Sequence, residues 1–172
     1  MRTALAALIV LGSATAAHAG TYVSLGMGGV IDGEGILAAP VEAAPSDTPQ
    51  QRLALGTRLG RLAIEASLGR FGIGAGEARA VGIHGRLSLP LDGHLNGFLR
   101  LGLEHAWVDG LDARLGDSAR GLVGGVGLEY RLEAPILGEA GLWAEVAQDE
   151  LTFADGSKGG VRTWTVGASL GL

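Results

Sequence analysis

The sequence contains no cysteine, so disulfide bonds are excluded throughout the chain, and so is a lipid-modified cysteine after an N-terminal leader. Aromatic residues are also scarce, at 5% of the chain, whereas 31 residues are glycine. Because glycine weakens helices, a conventional helical core is not favoured. A chain of 172 residues is predicted to form a single domain.

Basic residues are few, since 13 Lys and Arg stand against 18 Asp and Glu for a net charge of −5. This balance disfavours nucleic acid as a partner. An apolar run, "ALAALIVLGSATAA", comes soon after Met1 and Arg2 and precedes the small-residue motif "AHA". This pattern predicts a secretory signal peptide over residues 1–19 and a mature domain over residues 20–172. A retained membrane anchor is the less favoured alternative, because the run is short for a membrane span.

The stretch "RLALGTRLGRLAIEASLGRF" at residues 52–71 alternates with a period of two. Leu53 and Leu55 fall on one face, while Arg52 and Arg58 fall on the other. A helical period would scatter these charges over the surface. The alternation restarts after Gly60, so the stretch predicts two strands of a tight hairpin.

Six further segments show the same alternation, which gives eight predicted strands. In each, one face is apolar and the other mixes glycine with small and charged residues. Long connections are predicted at 29–50, 71–78, 109–119 and 152–160. They alternate with shorter ones at Gly60, at 90–96 and at 133–140. Long loops at one end and short turns at the other are typical of barrels that cross an outer membrane. The predicted fold is therefore all-β: a closed eight-stranded antiparallel up-and-down transmembrane β-barrel.

The apolar face is predicted to face lipid, which offers no hydrogen-bond partners to an open sheet. A ring of eight strands has a lumen that side chains just fill, so small residues must make room for long charged ones. Buried charges also have to be paired. The predicted lumenal charge network contains Arg52, Arg58, Glu65, Arg86, Arg100, Glu104, Glu129, Arg131, Glu145 and Asp149.

The C-terminal segment "TVGASLGL" places polar Thr165 and then Gly167 before the apolar Leu170 and Leu172. With the eight predicted strands, this ending resembles the assembly signal of the OmpA/OmpX-like eight-stranded outer-membrane β-barrel family. Members of that family usually end in an aromatic residue where this chain has Leu172. The resemblance implies a bacterial outer-membrane location after export through the periplasm. It also implies contact with outer-membrane lipid, recognition of the last strand by the outer-membrane assembly machinery, and a monomer.

Catalytic and metal-binding patterns are not found in the sequence. Glycine-rich stretches lack the spacing and the Lys-Ser/Thr ending of a phosphate loop. His84, His94 and His105 share no metal-ligand spacing, and no serine is locally paired with His84 or His105. We therefore expect no catalytic residues, no cofactor and no metal.

Four arginines carry the lipid-facing parity near the predicted long loops: Arg70, Arg79, Arg120 and Arg162. A guanidinium group binds phosphate well, so these residues are predicted lipopolysaccharide contacts. The alternative is that they only extend to water. The first long loop contains Asp32, Glu34, Glu42 and Asp47 and predicts either a partner-binding loop or an inert acidic shield.

These features predict a non-catalytic outer-membrane β-barrel with a structural or surface-interaction role. The first alternative is a narrow or gated porin-like channel for ions or small solutes. The second is a soluble periplasmic β-protein that buries its leucine face.

Overall fold

The structure, a computed structural model, describes residues 20–43, 48–110, 116–134 and 138–172. The predicted signal peptide and Asp47 lie outside the described residues. Among the described residues, no helix is long and apolar enough to cross a membrane. The elements are β1 (Gly20–Gly35), α1 (Ala38–Ala43), β2 (Gln50–Leu59), β3 (Leu62–Ile73), β4 (Gly76–Asp92), β5 (Leu95–Asp109), β6 (Ser118–Ala134), β7 (Gly138–Phe153) and β8 (Lys158–Gly171).

The eight strands form a closed antiparallel barrel in which each strand pairs with the next and β8 pairs with β1. At the closing seam Tyr22 lies opposite Gly171, and the backbone N–H of Leu172 donates to the carbonyl of Thr21 at 2.8 Å. The predicted closed up-and-down barrel is therefore confirmed. Closure also means that each of the eight described strands has a paired neighbour on both sides.

The two ends of the barrel differ in their connections. We call the end at which β1, β3, β5 and β7 finish, and which carries α1 and the turns at 74–75 and 154–157, the loop end. The opposite end, where β1 begins and β8 ends, is the terminal end, and it also carries the turns at 60–61 and 93–94.

The predicted boundaries of the long connections are wrong at the loop end. β1 continues to Gly35, whereas a loop was predicted from residue 29. The loop predicted at 71–78 is a two-residue turn at 74–75, in which Gly74 has a φ of +57°. The predictions failed here because the strands extend beyond the segments whose outward residues are apolar.

Strand alternation places the leucine face outward and the mixed face inward. In β2 and β3, Leu53 lies opposite Leu68 on the outer surface, while Glu65 is 1% exposed inside the barrel. Outward leucines are largely uncovered, as at Leu101, which is 68% exposed. A wall with apolar residues outside and charges inside is the inverse of a soluble barrel, and it is stable where lipid replaces water.

Candidate functional site: the barrel lumen and its rim

The middle of the lumen is built around Glu65 on β3. One carboxylate oxygen accepts a hydrogen bond from the Tyr22 hydroxyl at 2.6 Å, and the other accepts one from Arg52 at 2.5 Å. Arg86 approaches the same carboxylate at 3.7 Å. These three partners come from β1, β2 and β4, so the network joins neighbouring strands across the inside of the wall.

Glu145 on β7 extends this network to the far side of the barrel. It accepts hydrogen bonds from Arg52 at 2.7 Å and from Arg100 at 2.6 Å. Arg52 therefore bridges Glu65 and Glu145, two carboxylates that are nearly fully buried. A charge held between two counter-ions in this way avoids the cost of an unpaired ion in a poorly solvated interior.

A second group of charges centres on Glu129, toward the terminal end. Its carboxylate lies 2.8 Å from Arg131, 3.1 Å from Arg86 and 3.4 Å from Arg58. Arg58 and Arg131 also pair with Glu139, at 2.5 and 3.3 Å. Sequence reasoning missed Glu139, because it was assigned to the connection between the sixth and seventh strands, whereas β7 begins at Gly138.

His84 and Glu104 form a third inward group. The His84 Nε2 lies 3.0 Å from Glu104, and its Nδ1 lies 3.4 Å from the Ser67 hydroxyl. Asp149 is also inward and buried, but it forms no ion pair with any residue that the structure describes. All ten predicted lumenal residues thus face the barrel interior, and nine of them pair with a charged or ionisable group.

Ser67, His84 and Glu104 follow one another in the order serine, histidine and carboxylate, which is also the order in the catalytic triads of many hydrolases. Ser67 is 6% exposed and His84 is 1% exposed, and both point into a filled lumen. All three side chains lie on the inward face, where they pack against one another and contribute to the filling of the lumen.

Aromatic rings and glycines complete the packing of the charged interior. Arg86 lies over the Phe98 ring at 3.8 Å, and Arg58 lies over the Tyr22 ring at 4.8 Å. Gly125 lies against the Glu145 carboxylate so closely that a Cβ at this position would overlap it. Glycine on the inward face is therefore needed to admit the long charged side chains.

The loop end of the lumen is apolar, which sequence reasoning did not predict. Leu37, just before α1, is fully buried and packs with inward residues of six strands. Phe71 and Ile73 come from a segment that was predicted to be a loop. The layer, which we call the apolar cap, consists of Leu37, Phe71, Ile73, Ala78, Ala80, Ala106, Val108, Ala119, Leu151, Phe153 and Val161.

At the loop end the lumen becomes apolar, whereas the outer surface becomes polar. On β7, outward Leu142 and Val146 are followed by outward Glu150 and Thr152, while inward Leu151 belongs to the apolar cap. The loop end of β7 is therefore apolar inside and polar outside, as in a water-soluble barrel. This reversal marks the level at which the surroundings of the wall change from apolar to polar.

The four rim arginines all lie on the outer surface at this level, but their pairing differs. Arg70 and Arg79 share Glu77 at 2.5 and 3.0 Å, and Arg162 pairs with Asp32 at 3.0 Å and Glu34 at 3.3 Å. Arg120 forms no ion pair within the described part of the chain. The rim is thus a set of mixed charges in which most cations have an acidic neighbour.

No family model matches this chain, and no curated protein matches it. Among solved structures, neisserial surface protein A aligns with a TM-score of 0.60 at 16% identity, over 88% of this chain and 96% of that one. The N-terminal β-barrel domain of Pseudomonas aeruginosa OprF gives 0.53 at 12% identity, over 89% and 99%. The Yersinia pestis attachment invasion locus protein Ail, in complex with the heparin analogue sucrose octasulfate, gives 0.52 at 14% identity, over 90% and 99%.

At these identities the likeness concerns the fold alone. The chain has the fold of eight-stranded outer-membrane β-barrels, and the resemblance expected from the sequence is confirmed at that level.

Proposed function

We propose that this chain is an exported, non-catalytic protein of the bacterial outer membrane, with a sealed barrel and a structural or surface-interaction role. One observation carries the proposal: side chains fill the lumen both at its charged level and at its apolar level. Paired charges occupy its middle and its terminal end, and the apolar cap occupies its loop end.

The filled lumen supports a barrel that does not conduct. An ion crossing the charged level would have to displace arginines that each hold one or two carboxylates at short distance. At the loop end it would meet Leu37 and Phe71, which provide no polar groups to replace its hydration shell. Either barrier alone opposes permeation, and the two lie in series.

The outer surface supports a location in a lipid bilayer. Its middle is a continuous belt of exposed leucine and valine, and both of its ends carry polar residues. In water, such a belt would be a large exposed apolar patch and would drive aggregation. Trp107 near the loop end and Tyr130 near the terminal end occupy the positions that amphipathic rings prefer at membrane interfaces. Outer-membrane lipid is therefore the partner proposed for the belt, and the assembly machinery is the partner proposed for β8.

Location is tested by cell fractionation and by gel mobility with and without boiling. We expect the protein in the outer-membrane fraction, with a mobility that changes on heating. Release by osmotic shock, with no such change, would instead support a soluble periplasmic protein.

Conduction is tested by reconstitution in planar bilayers, with a general porin as the positive control. We expect no unitary steps from the wild-type protein or from Glu65→Gln. Reproducible steps from the wild type that change amplitude in Glu65→Gln would refute the sealed barrel and establish the porin-like channel.

A further inference from the structure

Two cations at the loop end have no acidic partner among the residues that the structure describes. Arg120 on β6 and Lys158 on β8 are exposed and form no ion pair with any described residue, whereas Arg70, Arg79 and Arg162 are all paired. Lys158 is the only lysine in the chain. Within the described part of the chain, both charges are therefore open to a ligand.

The strand register brings these two cations together. Arg120 lies opposite Thr152 on β7, and Thr152 lies opposite Lys158 on β8. Adjacent strands are about 4.8 Å apart, so the two cationic side chains flank one threonine at a separation that both can span. All three side chains are outward and exposed.

The same residues line a groove of about 510 Å³ on the outer wall. Leu103 and Leu122 form its apolar part, on the side of the groove that continues into the leucine belt. Glu34 and Glu150 also line the groove. Glu34 pairs with Arg162, whereas Glu150 pairs with no described cation and opposes the binding of weakly charged anions.

We propose that this groove binds a phosphomonoester of an outer-leaflet glycolipid of the lipopolysaccharide type. Arg120 and Lys158 contact the phosphate oxygens, the Thr152 hydroxyl donates a hydrogen bond, and an acyl chain lies over Leu103 and Leu122. A phosphomonoester carries up to two negative charges and matches two cations better than the single charge of a phosphodiester does. The inference rests on the proposed outer-membrane location, and it narrows the predicted rim contacts from four arginines to Arg120 together with Lys158.

The test compares two double variants of the folded full-length barrel in detergent micelles. Arg120→Gln with Lys158→Gln removes the proposed contacts, and Arg70→Gln with Arg79→Gln removes the same charge from cations that Glu77 already occupies. Binding of a phosphorylated lipid A, of its dephosphorylated form and of phosphatidylglycerol is measured by native mass spectrometry. We expect the first variant to bind phosphorylated lipid A about tenfold more weakly, and the control to change by less than about threefold.

Three outcomes would overturn the site. They are unchanged binding by the first double variant, an equal loss in both variants, and binding of phosphatidylglycerol as tight as that of phosphorylated lipid A. Heat-dependent gel mobility establishes that each variant is folded before binding is measured. Because location is tested by fractionation, a negative binding result would refute this site and leave the proposed outer-membrane role standing.

Discussion

Replacing Glu65 by glutamine tests whether the lumenal charges stabilise the barrel through pairing. The glutamine is nearly the same size, so packing is preserved while one negative charge is removed from a site that is 1% exposed. The glutamine carbonyl oxygen would accept from Arg52, now 2.5 Å from the carboxylate, and its NH2 group would donate to the Tyr22 hydroxyl oxygen, now 2.6 Å away.

The expected loss in the free energy of unfolding depends on which counter-ions the arginines keep in the variant. Breaking a buried ion pair by removing one partner costs about 3 to 5 kcal/mol. Arg52 keeps Glu145 at 2.7 Å and Arg86 keeps Glu129 at 3.1 Å, so neither arginine is left without a counter-ion. We therefore expect the lower limit, a loss of about 3 kcal/mol in the free energy of unfolding.

The assay is urea unfolding in lipid vesicles, followed by tryptophan fluorescence and by the folded band on unboiled gels. With a denaturant slope of about 2 kcal/mol per molar, the urea midpoint should fall by about 1.5 M. Glu139→Gln is the matched control, because the Glu139 side chain is 43% exposed and its loss should cost less than about 1 kcal/mol. A loss below about 1 kcal/mol for Glu65→Gln, or an equal loss for both variants, would refute the pairing argument.

Three further predictions concern other parts of the barrel. Gly102→Ala places a Cβ against the His84 ring and should lower the free energy of unfolding by about 1 to 3 kcal/mol in the same urea assay. Leu37→Ala removes a fully buried side chain from the apolar cap and should lower the free energy of unfolding by about 2 kcal/mol. We expect faster proteolysis between β1 and β2 in this variant, and an unchanged rate would contradict the packing of Leu37 in the cap. Hydrogen bonds from the Ser157 hydroxyl and backbone N–H lower the pKa of Asp155, so this turn is stabilised above the ordinary carboxyl range and loses that stabilisation as the pH falls through the lowered pKa. Ser157→Ala should raise the Asp155 pKa toward its ordinary value in an NMR titration.

The strand count and the orientation of the walls could be predicted from sequence because alternation is a local property. Arg52 and Glu65 fall on the opposite parity from Leu53 and Leu68, and pleating alone then sends them to the opposite side of the wall. Which charges pair could not be predicted, because it depends on barrel closure. Arg52 contacts Glu145, which lies 93 residues away in the sequence and on the other side of the barrel.

The apolar cap was missed because one polarity rule was applied to the full length of every strand. Phe71 and Phe153 carry the parity of the charged face, and a rule that expects small or charged residues there assigns them to loops. Glu139 was missed for a related reason, since the start of β7 is set by its pairing with β6 and not by any turn residue. Strand ends depend on neighbours, which a single sequence does not display.

The reversal of polarity along β7 sets the depth at which the barrel can sit in a membrane. Sliding the protein toward the terminal end by two residues of this strand would draw Gln148, and then Glu150, into the hydrocarbon layer. Sliding it the other way would expose Val146 to the headgroups. Polar groups in hydrocarbon and apolar groups in water both cost free energy, so displacement in either direction is opposed. The barrel is therefore held at one height, and that height keeps Arg120, Thr152 and Lys158 level with the headgroups of the lipids around them.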